Sequence, residues 1–311
     1  MGAELEQKKK EEEMLEYRQF SERTLDAQYR DLLARIMRTG KGAKTQQEES
    51  ARRVFGHQMS FDLTNGFPLI TERDISAIFP KALGELFAFL AGAHTQAHLS
   101  SYGVGWWDRW ATPEKCRKRG LEPGDLGPGS YGAAWRAFPT KEGKPFDQVT
   151  HLLEQMKEFP HLRTHYMHPW IPQYVGRGAG KTQKVVVAPC HGFLHFLIDV
   201  DEGSLSLHHF QRSADVPVGL VSNLVQYGAL TMMFAQVLGY RADTLVYTLS
   251  DAHIYESQLP YVEKLLATES ERFPTVVLDP SVKDLFAFRA SHFAVSDYHP
   301  KLVMKTIPTP V

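Results

Sequence analysis

The sequence predicts an α/β protein with an ordinary packed core, and three observations carry that expectation. Alternating or β-branched apolar segments, such as Phe193-Leu194-His195-Phe196-Leu197-Ile198, read as strands. Between them lie stretches with an apolar residue at every third or fourth position, clearest over 219–238, which read as helices. A hydrophobic content of 43% over 311 residues is enough to fill a core of one large domain or two small ones.

Taken in order, residues 1–13 carry Lys8-Lys9-Lys10 and Glu11-Glu12-Glu13 with no apolar face, the pattern of a solvated or disordered extension. From Met14 to Met37 the apolar spacing predicts an amphipathic helix broken near Ser21 and ended by Gly40 and Gly42. Arg53 to Leu63 reads as strand, Asn65-Gly66 as turn, and Ile78 to Leu90 as a helix with Leu83, Leu86, Phe87 and Leu90 inward. Residues 112–130 read as loop, Asp147 to Phe159 as helix and Thr164 to Trp170 as strand. The glycine-rich stretch 176–182 lacks the spacing of a phosphate-binding loop, because Val175 stands where its first glycine belongs, and reads as a flexible loop. Further strands are expected at 193–198, 204–212, 245–250, 275–278 and 293–295, with Gly219 to Leu238 as the central helix.

Charge is balanced, 35 Lys and Arg against 36 Asp and Glu, which argues against a nucleic-acid groove or a membrane surface as the main partner. Any anion must then be held by local geometry. No apolar run is long enough for a bilayer span or an N-terminal signal, so the cytosol is the expected compartment. The cysteine pair, Cys116 and Cys190, is too sparse for a disulfide scaffold.

Cys190 follows the run Val185-Val186-Val187 and precedes the alternating segment, which places it at the mouth of a strand. A thiol reacts as thiolate and needs nearby positive charge to ionise; His191 and Arg212 are the nearest candidates in sequence, and a buried structural cysteine is the alternative. Glu85 stands among the apolar positions of its helix. It is either a proton-handling group or half of a salt bridge. Trp106, Trp107 and Trp110 put three indoles in five residues, as core or as a stacking surface.

Ala188-Pro189-Cys190-His191, Gln211-Arg212-Ser213-Ala214-Asp215, Gly219 with Asn223, and Asp251-Ala252-His253-Ile254-Tyr255 follow one another in an order that resembles the thymidylate synthase family. Phe55-Gly56-His57-Gln58-Met59, Gly66-Phe67-Pro68-Leu69, Gly124 to Pro128, Tyr131-Gly132 and Trp135-Arg136 resemble it too, so the likeness runs from about residue 29 to the C-terminus. It implies a domain over 29–311 behind an extension at 1–28, with a large mixed sheet flanked by helices, and a homodimer formed through that sheet with shared active sites. It also implies methylenetetrahydrofolate as co-substrate, no metal, and C5 methylation of deoxyuridylate through a bond between Cys190 and C6. Two alternatives remain: 5-hydroxymethylation of a pyrimidine nucleotide by water addition, and a non-catalytic nucleotide- or RNA-binding relative.

The resemblance also implies roles, residue by residue. Cys190, Glu85, Tyr131, His191, Asn223 and Asp215 would be catalytic. Arg212, Ser213, Gln211, His253 and Tyr255 would hold the nucleotide together with Asn223, and Arg163 would reach the phosphate from a partner subunit. Trp107, Trp110, Arg73 and Gly219 would join Asp215 at the folate. An amide at 223 offers both donor and acceptor, as uracil requires. Departures from the family pattern are Gln46 where an arginine is expected, with Lys44, Arg52 or Arg53 as substitutes, and Thr164 for the second of two arginines. Ser222 replaces phenylalanine, Ser250 replaces glycine, and prolines alter the C-terminal tail.

Overall fold

The computed structural model describes residues 17–45, 49–304 and 306–310. Among these residues six strands form one mixed sheet: β1 (Lys41–Lys44), β2 (Ser50–Asp62), β3 (Tyr166–Met167), β4 (Phe193–Asp199), β5 (Ser204–Asp215) and β6 (Arg241–Tyr255), laid side by side as β1-β2-β6-β5-β4-β3. Neighbours run antiparallel except β5 and β6. A parallel pair cannot be closed by a tight turn. The chain instead crosses over through a 20-residue helix, Gly219–Leu238.

The helices that position the site are α1 (Gln28–Thr39), α2 (Phe79–Leu90), α3 (Tyr131–Arg136), α4 (Gln148–Glu158), α5 (Gly219–Leu238) and α6 (Leu259–Leu266). α5 is apolar on nearly every side, and its residues 223–236 are all buried, the pattern of a helix enclosed by protein. Val237 and Leu238, at its C-terminal end, are half-buried. Gly239 ends it at φ 78°, a left-handed conformation that glycine adopts without steric cost. On the face toward α5 the sheet presents buried Met59, Phe61, Leu205, Leu207, Leu245 and Leu249. α2 packs on α5 and approaches the end of the short helix Gln96–Ser101 so closely that a Cβ on Gly84 would lie 2.2 Å from the carbonyl oxygen of Tyr102, its C-cap.

The strand periodicity is followed by the structure, and β6 extends well beyond the expected 245–250. Other expectations are corrected. Residues 14–16 of the N-terminal helix lie outside the described residues; the rest of that segment is a single 3-10 turn at 20–22 before α1 begins at Gln28. Tertiary contacts decide this. Arg23 is buried and donates to the Phe273 carbonyl and the Thr275 hydroxyl, the latter in β7 (Thr275–Leu278), which pairs with β8 (Phe293–Ser296). Asp26 accepts from the Gln28 N–H and starts α1 there, leaving Leu25 exposed. The loop at 112–130 contains a short helix, Pro113–Arg117, capped by the Thr112 side chain. The strand at 164–170 shrinks to β3. Val185–Val187 is irregular chain, apolar because Val185 and Val186 are buried.

Candidate active site

Cys190 lies on the irregular segment entering β4, where the backbone N–H of Arg212, across on β5, donates to its carbonyl at 2.8 Å. The Arg212 guanidinium is fixed by three further bonds: Nε to the Pro189 carbonyl at 2.7 Å, and Nη2 to the Ala188 carbonyl at 2.7 Å and to Cys190 Sγ at 3.3 Å. It also lies over the Trp170 ring at 5.6 Å. Burial pushes the Cys190 thiol up and Arg212 pulls it down, with burial the larger effect. The expectation that His191 adds positive charge is corrected. Its Nδ1 bonds to the Tyr227 hydroxyl, and burial lowers its pKa to about 3, so the ring is neutral. Tyr131 accepts the Cys190 backbone N–H at 2.7 Å. Its own hydroxyl is held well above the usual phenol range by burial and stays protonated.

Behind the thiol runs a buried chain of amides. Gln211 receives the Tyr247 hydroxyl at its oxygen and donates to Asn223 Oδ1 at 3.1 Å. Asn223 donates to Gln226 Oε1 at 2.9 Å, and Gln226 donates to Glu85 Oε2 at 2.7 Å. Glu85 completes the chain by accepting Trp106 Nε1 at 2.6 Å and Trp107 Nε1 at 2.5 Å. It is therefore no salt-bridge partner. Burial raises its pKa, while the three donors, each suited to a carboxylate, oppose the rise.

Cys190, Arg212 and Ser213 open onto a cleft of about 820 Å³, together with Asp215, His253 and Tyr255 from the same sheet end. Ser213 donates to Asp251 Oδ2 at 3.3 Å, and His253 Nδ1 stands 3.5 Å from that oxygen. The Asp215 carboxyl receives the Gln258 amide at 3.1 Å on both oxygens and is pushed up to about 6, chiefly by burial. Gln258 also donates to the Pro308 carbonyl at 2.8 Å, which holds the proline-bearing tail so that Thr309 and Pro310 border the cleft. Trp110 lines it; Trp107, turned to Glu85, does not. Gly219 opens α5 with Asp215 just before it, and Arg73 is buried beside them with Nη2 on the Pro217 carbonyl.

Arg163 stands apart, exposed beside β3 and away from the cleft wall. Gln46 lies outside the described residues. Of the substitutes considered for an arginine there, Lys44 and Arg53 border the cleft and Arg52 does not. Ser222 and Ser250 are both half-buried. Sequence reasoning missed Gln226 and Gln258. Gln226 had a usable signal, since it lies three residues after Asn223 on one helical face. Gln258 had none.

A thiol held against a fixed guanidinium, at the wall of a cationic cleft on a mixed sheet, defines a cysteine-centred site for an anionic ligand. The sequence model described as thymidylate synthase matches residues 27–309, and the chain belongs to that family. Membership supports a transferase of nucleotide biosynthesis that methylates or hydroxymethylates a pyrimidine, with methylenetetrahydrofolate as the family's one-carbon donor.

Proposed function

We propose that the protein methylates C5 of deoxyuridylate, giving thymidylate and dihydrofolate. The observation that carries this reading is the 3.3 Å contact between Cys190 Sγ and Arg212 Nη2, set beside the Gln211-Asn223-Gln226-Glu85 chain. C5 of uracil is a poor nucleophile. Addition of the Cys190 sulfur to C6 moves the ring's π pair toward C5 and O4, and later cleavage of the S–C6 bond restores the thiol.

Asn223 keeps one amide hydrogen and one lone pair beyond those used in its chain, a donor and an acceptor for O4 and N3–H of uracil. Glu85, two hydrogen bonds along, sets the polarity of that amide. Tyr131 is too weak an acid to act as a free base; it orients the Cys190 backbone and relays the C5 proton to water. Arg212 and Ser213 receive the phosphate, and His253 and Tyr255 the ribose. The folate site has suitable donors and acceptors: the Asp215 carboxyl faces the cleft as an acceptor for pterin N–H groups, and Trp110 offers an apolar face. Folate supplies the one-carbon unit and, in this route, the hydride that reduces it.

The outer sheet face supports a homodimer. Register pairs Gln58, Thr248, Phe210 and Phe193 in one row, and Ser60, Val246, His208, His195 and Tyr166 in the next. Tyr166, Leu197 and Phe210 on this face are 53%, 46% and 37% exposed, an apolar surface that a second copy would cover while bringing Arg163 to the neighbouring cleft.

One observation favours hydroxymethylation instead. Ser222, half-buried beside Asn223, leaves a small polar side chain where the resemblance expects phenylalanine, and so admits water. Absorbance during turnover of deoxyuridylate and methylenetetrahydrofolate separates the two readings. Dihydrofolate forms in step with product in the reductive route, and turnover without it would replace methylation by water addition. A Cys190→Ser protein that still supports turnover would remove both.

A further inference from the structure

Every amide hydrogen on the two glutamines that flank Asn223 is committed. Gln226 Nε2 gives one hydrogen to Glu85 Oε2 at 2.7 Å and the other to the backbone carbonyl of Ala82 at 3.2 Å. Gln211 Nε2 gives one to Asn223 Oδ1 at 3.1 Å and the other to the backbone carbonyl of Ser213 at 2.9 Å, while its oxygen takes the Tyr247 hydroxyl. All of these side chains are buried, where a mismatched polar group is costly.

A backbone carbonyl only accepts. Turning the Gln226 amide over would set its oxygen against both the Ala82 carbonyl and Glu85, and turning Gln211 over would set its oxygen against the Ser213 carbonyl. Both glutamines are thus held in one orientation by groups outside the amide chain. Asn223 lies between them with its Oδ1 on the Gln211 donor and its Nδ2 on the Gln226 acceptor. Reversing it would oppose donor to donor at one end and acceptor to acceptor at the other.

Resting on the uracil reading above, we infer that Gln226 is a positioning residue that makes the site selective for a 4-keto over a 4-amino pyrimidine. It touches no reacting atom and acts through Asn223. With the amide held, its remaining lone pair and hydrogen present an acceptor for N3–H and a donor for O4 in fixed places. A 4-amino ring offers an acceptor at N3 and a donor at C4, the reverse of both, and Asn223 meets it only by turning over. Gln226 opposes that turn at one end of the amide, and Gln211 opposes it at the other.

Calorimetric titration of the full chain with deoxyuridylate and deoxycytidylate reads this selectivity, because the two share sugar and phosphate and differ at the base edge assigned to Asn223. The unaltered protein is compared with Gln226→Met, which keeps the length of the side chain and removes its amide, after melting curves confirm folding. An amide free to turn is correctly placed half of the time, so deoxyuridylate should weaken by no more than about twofold. Deoxycytidylate should bind at least about tenfold more tightly, since one of the two opposing contacts is gone. The ratio of the two affinities therefore narrows at least about tenfold, whereas a merely structural change weakens both nucleotides alike. Gln211→Met, which relieves the other end, gives the same narrowing if Gln226→Met does not fold. An unchanged ratio in a folded variant overturns the role of Gln226 and leaves the nucleotide reading standing. Failure of the unaltered protein to bind deoxyuridylate overturns the nucleotide reading, and this inference with it.

Discussion

Cys190 and Arg212 meet across adjacent chain segments with the guanidinium already held by two carbonyls, so the thiol's electrostatic partner is in place before any ligand arrives. Asp215 shows the cost of such a site in a single group. Burial lifts its pKa to about 6, so the folded chain keeps a proton that the unfolded chain releases between the ordinary carboxyl range and pH 6. Its contribution to stability is present at low pH and is lost as pH rises through about 6. Asp215→Asn should therefore raise stability by roughly 1–3 kcal/mol at pH 7.5 and leave it nearly unchanged at pH 4. Urea titrations at the two pH values check the sign.

At the scale of elements, α5 was readable from residue spacing because its apolar positions span twenty residues without a break. The same reading credited α5 with one inward face, whereas protein surrounds it and buries Asn223 and Gln226 as well. Glu85 stood out as a carboxylate among apolar neighbours. Gln226 was harder to see: its place three residues after Asn223 puts both on one helical face, but only the meeting of α2 with α5 reveals what it joins. Val185–Val187, the β-branched run before Cys190, is irregular chain, and a short apolar run of this kind cannot be told from a strand by spacing. The meeting of α2 with the end of the Gln96–Ser101 helix is testable. A methyl group on Gly84 would strike the Tyr102 carbonyl, so Gly84→Ala should cost at least about 2 kcal/mol in chemical denaturation. It should lower turnover as well, because Glu85 follows directly on the helix.

The whole molecule is a sheet with one face sealed by α5 and the other lined with partly exposed Tyr166, Leu197 and Phe210. Sedimentation should give a mass about twice the 35.3 kDa of one chain. A Leu197→Asp, Phe210→Asp double variant should sediment as a monomer and lose turnover, as expected if Arg163 serves the partner's cleft. Monomeric protein with full activity would separate the sheet face from the site.

The proposed function turns on one event, the bond between a thiol and a pyrimidine carbon. Intact-mass spectrometry after incubation with 5-fluoro-deoxyuridylate and methylenetetrahydrofolate measures it directly, because fluorine at C5 cannot leave as a proton does and the conjugate is trapped. A mass increase equal to both ligands, mapped to Cys190 and absent in Cys190→Ser, is the predicted result. An unshifted mass, or a conjugate on Cys116, would contradict it.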